Sequence, residues 1–299
     1  AEKAKFVYAM MVALLRAIAM VRQRSPAAVV GFGGYISVPL IIAARLFKVK
    51  IILFEPNVVM GRANLFLSRW ADLVVAAKPL LNHSILLKKV KNQKLVYLGV
   101  PIRGKVLSSC QKDFVLPDKE FNVLVLGGSQ GASVFAEVVP EAFKHLPSKL
   151  RQRFRITQQA RPEHVAELQD KYHKMGMEAK IASFFSNVGE LLSTSHLVIA
   201  RAGASTVAEV LVHGRPMILM PLPNSADNHQ YYNAEYITRE RSGWLVLQSD
   251  PHPAMEIKHI IEMIVYNPQL LKQKALAASK LANIKAATQF ADLVAKLCN

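Results

Sequence analysis

Short apolar runs separated by stretches of helical spacing constrain the fold of this chain more than any other feature. Runs such as 123–126 and 197–200 are continuously apolar, as in parallel strands that are buried on both faces. Repeated alternation of strand and helix predicts α/β layers joined by right-handed crossovers. The predicted strands are 28–31, 51–54, 73–76, 95–97, 123–126, 153–157, 180–182, 197–200, 217–220 and 244–247.

Length and charge narrow the possibilities further. The chain has 299 residues, and single cores rarely grow beyond about 250–300 residues, so two domains are expected. The polar region 99–119 contains Pro101 and Pro117, which indicates a linker. The net charge of +17 implies an anionic partner: a nucleic acid, a phosphorylated substrate or an acidic lipid surface. The two cysteines show no metal-ligand or disulfide spacing.

The N-terminal region 6–21 is apolar and interrupted only by Arg16. It is shorter than the roughly 20 apolar residues of a spanning helix, and Lys5, Arg22 and Arg24 flank it. Two interpretations are equally consistent with this pattern: a helix at an anionic membrane surface and a buried packing helix. The charge of the chain favours the membrane. Because the chain opens directly into a helical pattern, we expect a further segment upstream.

Two glycine-rich turns follow predicted strands. The first is Gly31-Phe32-Gly33-Gly34-Tyr35 and the second is Gly127-Gly128-Ser129-Gln130-Gly131-Ala132. Glycine lets backbone N–H groups approach a ligand closely, and a helix start favours negative charge. The spacing fits neither a P-loop nor a dinucleotide fingerprint. The alternatives are a turn without a ligand at the first site and capping by Ser129 at the second.

Two further segments combine small and polar residues after predicted strands. Segment 201–209 reads Arg-Ala-Gly-Ala-Ser-Thr-Val-Ala-Glu, in which the helix start could face a diphosphate and Glu209 could accept ribose hydroxyls. A capping box of Thr206 and Glu209 is the alternative. Segment 221–233 offers Asp227, His229 and Gln230 to sugar hydroxyls, with helix capping by Asp227 or Asn228 as the alternative.

These motifs together resemble the MurG family, the membrane-associated transferases that add N-acetylglucosamine to lipid I in bacterial peptidoglycan synthesis. The resemblance runs from about residue 4 to the C-terminus. It is most distinctive in 127–132 and 201–209, and it includes Gly33-Gly34-Tyr35, Phe54-Glu55-Pro56-Asn57, Pro101-Ile102-Arg103 and segment 227–233.

The resemblance implies an α/β protein of the GT-B fold, with two Rossmann-like domains facing a cleft and an incomplete N-terminal domain. Residues 1–103 would form the acceptor and membrane-side domain, on which helix 283–299 packs, and residues 104–282 the donor domain. The implied reaction is inverting transfer from UDP-N-acetylglucosamine to lipid I at the cytoplasmic side of the inner membrane. No cofactor, metal or nucleic acid is expected.

The resemblance also implies a set of donor-site residues. Phe185 would contact uracil through its backbone, and the start of the helix at Ala204 would face the phosphates. Arg103 would pair with the diphosphate charge, Glu209 with the ribose and Gln230 with the sugar. The substrate-binding residues are Asn57, Arg103, Ser129, Phe185, Ala204, Ser205, Thr206, Val207, Ala208, Glu209 and Gln230.

The sequence departs from the family pattern in its N-terminal part. Phe54, Pro56 and Val38 stand where the family has His, Gln and Gly. The Gly-rich turn that carries the family's proposed general-base histidine has no counterpart in this sequence, so no catalytic residue is assigned; Glu55 is a weak candidate with a structural alternative. Two other functions stay open: a UDP-N-acetylglucosamine-binding fragment with impaired catalysis, and another GT-B enzyme such as a UDP-sugar epimerase.

Overall fold

The computed structural model describes residues 2–81, 94–110, 113–128 and 133–298. The chain divides into two compact units, unit 1 with Ala1–Pro101 and Lys285–Asn299, and unit 2 with Ile102–Ile284. The C-terminal segment therefore belongs to the same unit as the N-terminus.

Unit 1 is built on a parallel sheet in the order β1-β2-β3-β4. Its strands are continuous apolar runs, and β3 is buried along its whole length, which explains why the sequence reveals them. Its elements are α1 (Glu2–Arg24), β1 (Ala28–Gly31), α2 (Val38–Leu46), β2 (Lys50–Glu55), α3 (Arg62–Leu67), β3 (Leu73–Ala76) and β4 (Lys94–Tyr97).

Helix α1 is mostly exposed although it is apolar. Near its C-terminal end, Ala17 and Val21 pack against Ala43 of α2, so the packing interpretation holds for that part alone. Phe6 and Met11 expose more than half of their surface. Among the described residues, α1 is the one helix that is long and apolar enough, by length and composition, to cross a membrane.

Unit 2 is built on a parallel sheet in the order β10-β9-β8-β5-β6-β7. Helices cover both faces of this sheet and bury two clusters of apolar side chains. Its elements are α4 (Gly104–Leu107), β5 (Phe121–Leu126), α5 (Phe135–Lys144), α6 (Ser148–Arg151), β6 (Phe154–Gln159), α7 (Pro162–Lys174), β7 (Glu178–Ala182), α8 (Val188–Thr194), β8 (Leu197–Ala200), α9 (Ala204–Val212), β9 (Met217–Leu219), α10 (His229–Arg239), β10 (Gly243–Leu245), α11 (Pro253–Tyr266) and α12 (Pro268–Leu281).

The direction of the strand order in unit 2 reverses between β5 and β8. From β5 the chain moves outward to β6 and β7, then returns and moves the other way through β8, β9 and β10. Open α/β sheets bind ligands at the carboxyl ends of the strands where this reversal occurs. The last residues of the two strands, Leu126 and Ala200, are paired, so the turns that follow them start at the same level.

The C-terminal region 268–299, predicted as one helical segment, forms two helices. The first, α12, packs in unit 2 through Leu271 and Ala278. The second, α13 (Ala286–Cys298), packs on unit 1, where the ring of Phe290 lies 5.6 Å from that of Phe54. The predicted fold class of two parallel-sheet α/β units is confirmed, and each predicted strand coincides with an observed one within a few residues at its ends.

Candidate functional site

The carboxyl edge of the unit 2 sheet carries the glycine turn that the sequence singled out. Gly127 and Gly128 directly follow β5, and Gly128 has φ +77°, a conformation that favours glycine. The predicted contact Ser129, with Gln130, Gly131 and Ala132, lies outside the described residues.

Helix α9 begins beside this turn and points its N-terminus out of the sheet edge. Gly203 is its extended N-cap residue, and no side chain caps it. Ala204, Ser205 and Thr206 are its first residues, and the backbone N–H groups of a first helical turn have no intrahelical acceptor and favour an anion. The alternative of a capping box is wrong, because Thr206 lies inside the helix instead of at the N-cap position.

Glu209 lies in the second turn of α9 and pairs with Arg103. The Arg103 guanidinium donates to the Glu209 carboxylate at 2.9 Å between Nη2 and Oε1. The Glu209 side chain is only 14% exposed, whereas that of Arg103 is 73% exposed. The pair therefore joins a shielded carboxylate to a guanidinium that is largely exposed to solvent. The sequence predicted both residues as donor ligands but did not predict their contact.

The side chains of Val207 and Ala208 point into unit 2. Both are buried, and Val207 packs with Leu211 and Val210. The Val207 N–H already donates to the Gly203 carbonyl at 2.9 Å. These two predicted ligands therefore pack α9 into unit 2, and their buried side chains cannot contact a ligand.

Arg201, the first residue of segment 201–209, has a structural role that the sequence did not predict. Its Nη1 donates to the carbonyls of Met220 and Pro221 at 3.1 and 2.9 Å, and its Nη2 donates to Gln248 Oε1 at 2.7 Å. The guanidinium lies over the ring of Phe135, 5.3 Å from its centroid, and burial lowers the pKa of Arg201. Arg201 thus ties together the loops after β8, β9 and β10. The only sequence signal was an arginine at the end of an apolar strand.

The loop after β9 is held by short-range hydrogen bonds. Leu222 N donates to Gln230 Oε1 at 2.9 Å, and the His229 imidazole contacts the Ala226 carbonyl at 2.5 Å through Nδ1. Asp227 and Asn228 have φ of 51° and 52°, a left-handed conformation that Asn and Asp tolerate better than most residues. Asn228 is the N-cap residue of α10 but makes no side-chain cap bond. Gln230 therefore closes the loop through its oxygen.

The loop after β7 carries two neighbouring phenylalanines that differ in exposure. The ring of Phe185, the predicted uracil contact, is buried, whereas that of Phe184 is 74% exposed. A base could stack only on the exposed ring, so a contact from Phe185 would come from its backbone. Sequence alone does not tell which of two adjacent loop aromatics faces solvent.

In unit 1, a buried carboxylate organises the loop after β2. Glu55 accepts from Asn57 N and Nδ2 at 3.1 and 3.0 Å, from Gly61 N at 3.1 Å and from Asn64 Nδ2 at 2.9 Å. These four bonds occupy both of its oxygens, which favours the structural role of Glu55 over that of a base. They also hold Asn57, a predicted ligand, against the carboxylate.

The described residues were also compared with the ligand groups that a metal ion requires. Across residues 2–81, 94–110, 113–128 and 133–298, no three His, Cys, Asp or Glu side chains converge to hold a metal ion. The polar groups at the unit 2 site include the N-terminus of α9, Arg103 and Glu209.

Comparison with family models gives two matches. Residues 1–76 match the glycosyltransferase family 28 N-terminal domain, and residues 122–295 match the glycosyltransferase family 28 C-terminal domain. The second match alone covers more than half of the chain.

Curated relatives carry one specific name, UDP-N-acetylglucosamine–N-acetylmuramyl-(pentapeptide) pyrophosphoryl-undecaprenol N-acetylglucosamine transferase. The protein of that name from Zymomonas mobilis is 40% identical over 94% of this chain and 72% of its own length. The one from Paramagnetospirillum magneticum is 38% identical over 95% of this chain and 76% of its own.

Solved structures show the same fold. The crystal structure of Acinetobacter baumannii MurG matches with a TM-score of 0.79 and 29% identity, over 97% of this chain and 80% of that one. A UDP-GlcNAc 2-epimerase from Neisseria meningitidis matches with a TM-score of 0.70 but only 13% identity, over 96% of this chain and 81% of that one. At that identity the likeness to the epimerase extends to the fold alone.

Proposed function

Because the chain belongs to glycosyltransferase family 28, and within it to the MurG family, we propose that it transfers N-acetylglucosamine from UDP-N-acetylglucosamine to lipid I, which yields lipid II for peptidoglycan synthesis. One observation carries this proposal. At the strand reversal of unit 2, the uncapped N-terminus of α9 and the carboxylate of Glu209 lie on one helix, as a nucleotide with an anionic diphosphate and a neutral ribose requires.

Unit 2 is the donor domain in this proposal, and each part of the donor has a partner of matching chemistry. The diphosphate faces the N–H groups of Ala204, Ser205 and Thr206 at the positive end of α9. The ribose hydroxyls donate to Glu209, and uracil binds the backbone of Phe185 beneath the exposed ring of Phe184. The N-acetylglucosamine lies toward Gln230.

The chemical step displaces UDP from the anomeric carbon. A hydroxyl of the acceptor forms the new bond to that carbon as the bond to the diphosphate oxygen breaks, so the configuration inverts. Negative charge develops on the leaving diphosphate, where the dipole of α9 and the guanidinium of Arg103 stabilise it. The proton of the acceptor hydroxyl goes to a general base, to which we assign no residue.

Unit 1 is the acceptor domain in this proposal. The turn with Gly33 and Gly34, both at positive φ, exposes backbone at the carboxyl end of β1. At the neighbouring strand, Glu55 holds Asn57 and Asn64 in place. These polar groups lie where open parallel sheets bind ligands.

Calorimetric titration with UDP-N-acetylglucosamine, with UDP-glucose as the comparison ligand, tests the donor proposal. We expect selective binding that Glu209→Ala weakens by about 10- to 100-fold, because a hydrogen bond to a charged group contributes about 1.5–3 kcal/mol. The matched control is Glu190→Ala, which removes another helical carboxylate of unit 2, one bound to Asn187. Equal binding by both variants would refute the donor site. Transfer to a lipid I analogue is the next assay, and donor binding without transfer would favour the binding-fragment alternative.

The exposed face of α1 is the membrane contact in this proposal. Phe6 packs edge-on against Tyr35, with ring centroids 6.4 Å apart, and both rings are largely exposed. Lys5 and Arg16 are exposed on the same helix. An apolar surface ringed by basic residues suits an anionic interface, so we place the protein peripherally on the cytoplasmic side of the inner membrane, where lipid I is available.

Sedimentation with vesicles tests the membrane proposal. We expect binding to anionic vesicles to exceed binding to zwitterionic ones, and Met11→Glu to abolish it. The matched control is Tyr266→Glu, which places the same charge at an exposed apolar side chain of unit 2. We expect no binding to RNA under the same conditions. Retained vesicle binding by Met11→Glu, or a preference for RNA over vesicles, would contradict this assignment.

A further inference from the structure

A buried histidine at the end of α9 contacts the same residue that carries the proposed ribose carboxylate. His213 is 2% exposed, and its Nδ1 lies 2.7 Å from the backbone oxygen of Glu209. That oxygen belongs to the last turn of α9, whose carbonyls lack intrahelical donors. Because a carbonyl only accepts, Nδ1 carries the proton and donates it.

The other nitrogen of the same ring contacts the segment that carries Arg103. His213 Nε2 lies 3.5 Å from the sulfur of Cys110, seven residues after Arg103 in the sequence. Between them, α4 packs closely against α8, because a Cβ on Gly189 would lie 3.1 Å from the backbone oxygen of Val106 and 3.2 Å from its Cα. The segment from Arg103 to Cys110 is thus anchored at Cys110, and the Arg103 side chain at its other end reaches Glu209.

These contacts form a closed ring. Glu209 pairs with Arg103 through its carboxylate and with His213 through its carbonyl, and His213 contacts Cys110, which leads back to Arg103 along the chain. The ring joins two elements that are distant in sequence. The contact between Arg103 and Glu209 is at the solvent side, and the two contacts of His213 are in the interior.

We propose that His213 is a positioning residue for the donor site, which holds Glu209 in the orientation that recognises the ribose and, through Cys110, anchors the segment that carries Arg103. The inference rests on the proposed function, because it gives Glu209 the ribose as its ligand. His213 touches no substrate; it acts through the backbone of Glu209 and the thiol of Cys110.

The physical basis is the difference between a fixed and a free carboxylate. If Glu209 and the 103–110 segment shift by a few tenths of an ångström, the paired hydrogen bonds to two ribose hydroxyls lose their geometry together, because hydrogen bonds weaken steeply with misalignment. Contacts to the phosphates at the other end of α9 do not depend on this turn. Loss of His213 therefore weakens recognition of the ribose selectively.

Comparison of UDP with 2′,3′-dideoxyuridine diphosphate isolates that selectivity. The wild-type chain should prefer UDP. We expect His213→Leu to reduce the ratio of the two affinities by about tenfold, the equivalent of one charged hydrogen bond, with little change for the dideoxy ligand. His213→Asn retains an N–H donor close to Nδ1 and should restore most of the ratio. If His213→Leu does not fold, Cys110→Ala serves in its place and should reduce the ratio less.

The matched control is His196→Leu. His196 is another partly buried histidine of unit 2 that bonds to backbone, at 2.9 Å between Asn122 N and Nδ1, and its loss should lower stability without changing the ratio. An unchanged ratio in a folded His213→Leu chain would overturn the positioning role and leave the proposed function intact. An equal fall in the ratio for His196→Leu would also overturn it. Failure of the wild-type chain to bind UDP would instead overturn the proposed function.

Discussion

Arg103→Ala should change the binding of uridine and of UDP in opposite directions. In the free protein, Arg103 occupies the Glu209 carboxylate at 2.9 Å, where we place the ribose hydroxyls. A nucleoside must therefore displace or share this pair. A diphosphate, by contrast, gains a cation when Arg103 turns toward it.

The magnitudes follow from the exposure of the two side chains. Because Arg103 is 73% exposed, its pair with Glu209 contributes at most about 1 kcal/mol, so its removal should tighten uridine binding by no more than about fivefold. A charged hydrogen bond to a phosphate contributes roughly 1.5–3 kcal/mol, so the same change should weaken UDP binding by about 10- to 100-fold.

Isothermal titration of both ligands measures the two effects on one protein. The matched control is Arg239→Ala, which removes another exposed arginine of unit 2 that pairs with a carboxylate, at 3.8 Å from Glu235, and it should change neither affinity. A parallel loss of uridine and UDP binding in Arg103→Ala would refute the reasoning, because it would mean that Arg103 supports the nucleoside instead of competing with it.

Three further predictions concern the stability of unit 2, measured by urea denaturation. Burial lowers the pKa of His196 to about 4, so the contribution of this histidine to the free energy of unfolding is complete above pH 6.5 and is lost toward pH 4. Relative to His196→Asn, the stability should therefore fall by about 1 kcal/mol between pH 7.5 and 5. A difference that does not change with pH would contradict this. Arg201→Ala should lower the free energy of unfolding by about 2–4 kcal/mol, because the carbonyls of Met220 and Pro221 lose their donor. A change close to zero would mean that Arg201 does not hold these loops together. Gly189→Ala should cost about 1–3 kcal/mol through overpacking against the backbone of Val106 in α4. An unchanged midpoint would show that α4 shifts at no cost.

The strands could be predicted because parallel strands buried on both faces are continuous apolar runs, as 123–126 and 197–200 are. The glycine turns and the start of α9 could be predicted because they follow those strands directly. The contacts that join distant segments could not. Arg103 reaches Glu209 across 106 positions and Cys110 reaches His213 across 103, and neither pair has a local spacing to reveal it.

Local patterns also gave wrong or incomplete answers where two structures share one pattern. Thr206 and Glu209 have the spacing of a capping box, but the helix begins at Ala204, so the same two residues lie inside it. Phe184 and Phe185 are equivalent in composition, yet only one is buried, because the path of the loop decides which ring meets the core. Tertiary packing, and not propensity, settles both cases.

The pairing of Arg103 with Glu209 also explains how a nearly buried carboxylate is tolerated before the donor arrives. A carboxylate that is 14% exposed is costly to desolvate unless hydrogen-bond donors surround it. Arg103 supplies a donor from the solvent side, where its own motion costs little, and ribose hydroxyls supply donors when the nucleotide binds. The carboxylate thus exchanges one set of donors for another without being left unpaired, and the arginine that it releases is then adjacent to the charge that develops on the diphosphate. A site of this kind needs a shielded acceptor and a cation that solvent reaches, and the exposures of these two residues have that order.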